Sequence, residues 1–227
     1  MTLSQRLDAI INERHLLNHP FYQAWTEGKL SLDVLKSYAG QYYAQVGAFP
    51  RFVSAVHSNC PEIEARKVLL QNLVDEELHG TDHPELWMQF AEGIGATRDE
   101  VKNQSPLPTT TSMVNDYHAL TRANWIEGLC ALYAYESQVP SVSASKIDGL
   151  TKHYGVSDKK TLQFFDVHQK YDVEHSAQVA ALINTYADET TAVTATKKAA
   201  DALWTFLDGM AAQAGISCEM PAAAAAN

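Results

Sequence analysis

Residues 164–176 read FFDVHQKYDVEHS. The apolar positions Phe164, Phe165, Val179 and Leu182 recur at intervals that match one face of a helix. At about 100° per residue, Asp172 falls about 40° from His168, and His175 about 20° to the other side. The three share one stripe beside the apolar face, whereas Glu174 turns away toward solvent. Two imidazoles and a carboxylate on such a stripe are costly unless something compensates. A metal ion is one compensator, because imidazole and carboxylate ligands suit iron, manganese or zinc. A hydrogen-bonded His/Asp pair is the competing reading.

The helical period extends outward over nearly the whole chain. Leu3, Leu7, Ile10 and Ile11 begin it. Pro20 opens a short helix closing at Gly28, and Ser31 caps a long one that kinks at Pro50. Further helices are predicted from Pro61 toward Gly80, from His83 to Phe90, and after the Thr97/Glu100 capping box. Gln104 to Pro108 reads as a loop. One long helix is predicted from about Ser112 to Ser137, then a segment to His153 closed by Gly155. Ser157 is expected to cap a helix through Tyr186, and Thr191–Ala212 is the last. No strand pattern and no repeat interrupts this. The prediction is an all-α bundle of seven to nine helices, one domain over residues 1–215 with a frayed tail at 216–227.

Composition narrows the function. The chain has 227 residues, 17 Lys+Arg against 27 Asp+Glu, and a net charge of −10. That acidity argues against nucleic acid and anionic membrane as partners. No apolar run is long enough to span a bilayer, and the N-terminus lacks the apolar core of a signal peptide. Three scattered cysteines, Cys60, Cys130 and Cys218, suit a reducing cytoplasm. Nine histidines stand out, several among carboxylates.

The second such cluster is DEELHGTDH, residues 75–83. Glu76 and His79 have the Glu-x-x-His spacing of dinuclear carboxylate sites. Glu76 and His83 share a face too, but lie about 10 Å apart along a straight helix. Meeting at one ion requires a bend, for which Gly80 and Pro84 offer places. The third is Glu136, a lone carboxylate in the apolar LYAYESQVP stretch, with Glu127 as its rival. Three carboxylates facing two divalent ions leave a net charge of +1, which a buried pocket tolerates.

Five segments carry a family resemblance: HPFYQAWTEGKL (19–30), NLVDEELHGTDHPELW (72–87), YAYESQVP (133–140), SASKIDGL (143–150) and FFDVHQKYDVEHS (164–176). Over roughly residues 5–212 the chain resembles the heme-oxygenase-like di-metal oxidases of the TenA/PqqC superfamily. Within them it is most similar to the CADD-like para-aminobenzoate synthases of folate biosynthesis. The resemblance implies six metal ligands, Glu76, His83, Glu136, His168, Asp172 and His175, leaving His79 beside them. It implies a dinuclear iron or manganese/iron centre that uses dioxygen and an external reductant. It also implies self-sacrifice in a single turnover, with Tyr22 as carbon source and Lys146 as amino donor. Tyr43, Tyr135 and Trp87 are candidates for lining the pocket. A homodimer is expected, with an unidentified reductant as the other partner.

Two other readings use the same fold. A multi-turnover di-iron oxidase acting on a small molecule would need the ligands but not Tyr22 or Lys146. A metal-free TenA- or PqqC-like enzyme would not need the ligands. Were it a hydrolase, it would require a nucleophilic cysteine, for which Cys130 is the candidate.

Overall fold

The computed structural model describes residues 1–78 and 80–218. Eleven α-helices and one 3₁₀ turn account for the ordered elements, with no strand among the described residues. The expected all-α bundle is therefore observed, with more helices than the seven to nine anticipated. They are α1 (Leu3–Glu13), α2 (Pro20–Thr26), α3 (Leu32–Asn59), α4 (Ile63–Glu77), α5 (His83–Gly93) and α6 (Arg98–Asn103). After these come α7 (Pro108–Ala123), α8 (Trp125–Glu136), α9 (Val139–Tyr154), α10 (Lys159–Tyr186) and α11 (Glu189–Gln213).

Capping chemistry sets many of these ends. Ser31 accepts from the Val34 N–H at the head of α3, and Thr97 and Glu100 form the expected reciprocal box. Gly155 closes α9 in the left-handed conformation, with φ of 69°. Two expected boundaries differ. The long helix predicted over 112–137 is two helices, because Asn124 adopts extended angles and its side chain accepts from the Glu127 N–H. Apolar periodicity continues across that cap and conceals it. Likewise α10 is capped by Asp158, whose carboxylate takes the Thr161 N–H, and not by Ser157. Pro50 lies within α3 without ending it.

Helix α8 is the inner element. Its nine residues from Gly128 to Glu136 are all buried, as for a helix that is apolar on every side. Around it α3, α7, α10 and α11 pack, and α5 and α9 flank α10. One continuous core joins α1, α2, α3, α5, α8, α10 and α11, with Trp25, Tyr38, Trp87 and Phe206 among its largest members. Glu136 thus sits at the end of a buried helix, against the buried stripe of α10.

Candidate metal centre and the adjoining tyrosine–lysine pocket

A break between α4 and α5 brings the candidates of the second cluster together. Helix α4 stops at Glu77, and Gly80 takes φ of 75°, a turn that side-chain-bearing residues resist. Helix α5 restarts at His83 behind an Asp82 cap. This bend closes the gap along the helix axis: His83 Nδ1 lies 2.7 Å from Glu76 Oε2. On α10, His168, Asp172 and His175 are all buried, whereas Glu174 is exposed as expected.

Six buried side chains fall into two triads. Glu76, His83 and His168 form one; Glu136, Asp172 and His175 form the other. Within each, one ligand atom from every residue lies within 4.8 Å of the others. The His83 and His168 rings are 4.4 Å apart. In the second triad, His175 Nδ1 is 3.5 Å from Asp172 Oδ1 and 4.0 Å from Glu136 Oε1.

The polar atoms at the centre lack hydrogen-bond partners. His83 Nδ1, Glu136 Oε2, Asp172 Oδ2 and His175 Nδ1 are buried and unpaired. Even the close His83–Glu76 approach lacks hydrogen-bond geometry. Carboxylate oxygens and imidazole nitrogens that converge without hydrogen-bonding one another suit a cation, and orphaned buried polar atoms are otherwise rare.

Atoms on the outer side are fixed. His168 Nδ1 lies 2.7 Å from the Phe164 carbonyl, so its N–H donates there and Nε2 keeps the free lone pair. His175 Nε2 lies 3.0 Å from Asp75 Oδ2, leaving Nδ1 for the triad. Asp75 in turn accepts from Gln71, and Asn72 donates to Glu136 Oε1 at 2.6 Å. Such outer contacts orient metal-ligating imidazoles. The donor set of carboxylate oxygen and imidazole nitrogen fits iron or manganese.

Electrostatics agree with this arrangement. Burial, then the Asp172 carboxylate, pushes Glu136 well above the carboxylic range. Burial pulls His175 down, but the nearby carboxylates of Asp172, Glu136 and Asp75 outweigh it and raise the imidazole. Burial dominates at His168, which is lowered. These carboxylates repel one another and favour any positive charge between them.

Beside the triads lies a second buried polar region. Lys146 Nζ donates to Tyr38 Oη at 2.7 Å, and Tyr38 and Tyr22 share a 2.7 Å hydroxyl contact. The amine stands 4.8 Å from the centre of the Tyr22 ring, 4.9 Å from that of Tyr38 and 5.5 Å from that of Trp25. Among the described residues no carboxylate pairs with it, and burial lowers its pKa to about 7. Burial is also the leading cause that raises the Tyr22 and Tyr38 phenols well above their ordinary value. Helix α9 can approach this closely because position 149 is glycine: a Cβ there would meet Trp25 Cδ1 at 2.9 Å.

The ring of Tyr38 stacks on Tyr42 at 5.3 Å, and Tyr42 donates to Tyr135 at 2.8 Å. Tyr135 and Trp87 thus adjoin the site; Trp87 lies 5.1 Å from Tyr42 and 4.8 Å from Phe164. Tyr43 does not belong to the hydroxyl cluster. One residue further round α3, it is only half-buried, at the rim of the core. Glu127 stays at the head of α8, bonded by Asn124. His79 lies outside the described residues. Sequence reasoning missed Tyr38, Asn72 and Asp75 as members of the site. Asn72 stands one helical turn before Glu76, a spacing that could have pointed to it, whereas nothing local singles out Tyr38.

Two further features lose their chemical candidacy. The Cys130 thiol is buried and pushed up to about 12, which leaves it inert as a nucleophile. His19, near Asp208 and Cys218, uses Nδ1 to cap α2 and Nε2 to meet Asp208, so neither nitrogen is free for a metal.

An all-α bundle enclosing buried carboxylate and imidazole triads defines a helical protein with a candidate metal centre. The chain belongs to the family of iron-containing redox enzymes, whose model matches residues 36–208. A 4-aminobenzoate synthase from Nitrosomonas europaea is 43% identical, covering 98% of this chain and 97% of its own. A second, from Chlamydia muridarum, is 37% identical over 92% of this chain and 89% of its own. Among solved structures, a TenA homologue from Pseudomonas syringae superposes with a TM-score of 0.80 at 18% identity, covering 92% of each chain. The fold is thus TenA-like, of the heme-oxygenase type. No helix among the described residues is long and apolar enough to cross a membrane.

Proposed function

We propose that this chain makes para-aminobenzoate for folate biosynthesis, in the cytoplasm and once per molecule. In this reading the carbon comes from its own Tyr22 and the nitrogen from Lys146. Glu76, His83 and His168 would hold one ion, and Glu136, Asp172 and His175 the other, as an iron pair or manganese with iron. The bound metals would supply the activation of dioxygen, with electrons from an external reductant. A homodimer is the assembly this reading expects.

The observation that carries the proposal is the amine of Lys146, bonded to the neutral Tyr38 hydroxyl and buried within 4.8 Å of the Tyr22 ring centre. Near pH 7 a large share of it is the neutral, nucleophilic form. Carbon counting agrees. A tyrosine side chain carries six ring carbons and Cβ, and para-aminobenzoate needs six ring carbons and a carboxyl. Breaking Cα–Cβ releases the right skeleton, Cβ becomes the carboxyl carbon, and the ring carbon bearing oxygen receives the nitrogen. The residues around them orient and dehydrate: Phe164 and Asp75 hold the ligand imidazoles, while Trp25 and Tyr38 exclude water from amine and ring. Holding both reactants in one pocket replaces a collision by a fixed geometry. A consumed side chain is not restored, hence the single turnover.

Intact mass spectrometry tests this directly. Protein loaded with iron and manganese, then given reductant and dioxygen, should lose mass at Tyr22 and release up to one equivalent of para-aminobenzoate. Product without a mass change would reject self-sacrifice. Tyr22→Phe and Lys146→Ala should each abolish the product; continued synthesis would favour a multi-turnover oxidase.

A further inference from the structure

Tyr38 is the only hydroxyl that touches both proposed reactants among the hydrogen bonds of the described residues. Its oxygen accepts from Lys146 Nζ at 2.7 Å and lies 2.7 Å from the Tyr22 hydroxyl. The residue is fully buried near the N-terminal end of α3 and held by ring packing on Tyr42 and Trp25. Its role is not accounted for by the carbon and nitrogen sources alone.

Resting on the reading above, we propose that Tyr38 is the proton shuttle of the amination step, carrying protons from the Lys146 amine to the departing oxygen of Tyr22. The chemistry requires such a group. Once the Tyr22 ring has lost two electrons in the dioxygen-dependent oxidation, its oxygen is a carbonyl. A carbonyl oxygen only accepts, so the shared contact then runs from the Tyr38 hydroxyl to Tyr22. The hydroxyl can accept from nitrogen and donate to oxygen at the same time. The amine nitrogen bonds to the ring carbon, the carbon–oxygen bond breaks, and both nitrogen protons end on the oxygen, which leaves as water. No electrons are exchanged in this step: amine plus ring carbonyl becomes ring imine plus water. Nitrogen enters and oxygen leaves at the same carbon, so a direct transfer is cramped, and a hydroxyl touching both offers a wider path.

Tyr38→Phe tests the shuttle, since it removes the hydroxyl and keeps the ring packed on Tyr42. Metal content and unfolding temperature first establish that the variant is folded and loaded. Wild type and variant are then given reductant and dioxygen, and both Tyr22 loss and aromatic products are measured. The expected result is Tyr22 loss within about threefold of wild type, with para-aminobenzoate reduced ~10-fold or more. The difference should appear as 4-hydroxybenzoate, which keeps the ring oxygen. A second readout uses metal-free protein labelled with [13Cε]lysine, in which Tyr38→Phe should shift the Lys146 resonance. An unchanged product ratio, or an unmoved lysine resonance, overturns the shuttle. So does a variant that retains Tyr22 while wild type loses it, because Tyr38 would then serve ring oxidation. If wild type itself loses no Tyr22, the underlying function fails, and that is seen without any variant.

Discussion

Two buried polar regions lie side by side in this bundle and manage burial in opposite ways. The triads gather three carboxylates and three imidazoles, each near the others' charges. The neighbouring pocket gathers a lysine and phenols with no opposing charge, and desolvation alone acts on the amine. Charge without a partner in the first region calls for a cation. Charge in the second is removed by giving up a proton. Tyr42 and Tyr135 connect the two, bonded to each other and stacked on the pocket side through Tyr38. The contrast shows how one core can keep converging carboxylates and imidazoles and an amine of lowered pKa a few side chains apart.

The sharpest way to break this contrast is to remove a ligand. His168→Ala or Glu136→Ala should lower bound metal from about two equivalents to about one or fewer and slow product formation by about 1,000-fold. Metal analysis beside a single-turnover assay checks this; two retained equivalents would contradict the assignment of triads. A smaller effect is expected at the outer contact. Asp75→Asn leaves His175 in place but weakens its hold, so metal affinity should fall about 10–100-fold. Chelator competition measures it.

The pocket is tested by stability. Lys146 loses its proton at about 7 in the folded chain and at about 10.4 when unfolded. A depressed folded value means that the unfolded chain binds more protons, so stability rises with pH between those values and is lost as pH falls toward 7. The burial cost at neutral pH is therefore about 4 kcal/mol. Lys146→Met should recover much of it at pH 7 and little above pH 10.4, as read by denaturant titration at both pH values. The mildest probe is pH on the wild type: below pH 7 the amine is protonated, and single-turnover product formation should fall about tenfold per unit. A flat profile between pH 5 and 7 would dissociate the amine from the slow step.

Much of this arrangement was legible in the residues. Helical spacing on α10 grouped His168, Asp172 and His175 and excluded Glu174, because neighbours on one helix obey a fixed rotation. The Thr97/Glu100 box and the Gly155 stop are likewise local chemistry. Asn124 escaped notice because a cap inside an apolar run changes no periodicity. Tyr38 escaped because nothing local distinguishes one buried tyrosine from another; Tyr43, expected as a lining candidate, is turned to the rim by its place one residue past Tyr42 on α3.

By itself the sequence determined the all-α class, the stripe on α10 and the break near Gly80, each a consequence of contacts within a few residues. Only the tertiary structure decided that Glu76 and His83 meet, that Glu136 joins α10, and that Lys146 reaches Tyr38 beside Tyr22. Those contacts depend on how α4, α5, α8 and α9 are laid against α3 and α10. The angle and depth of such packing come from side chains dispersed over the whole chain, and so from no single stretch of it.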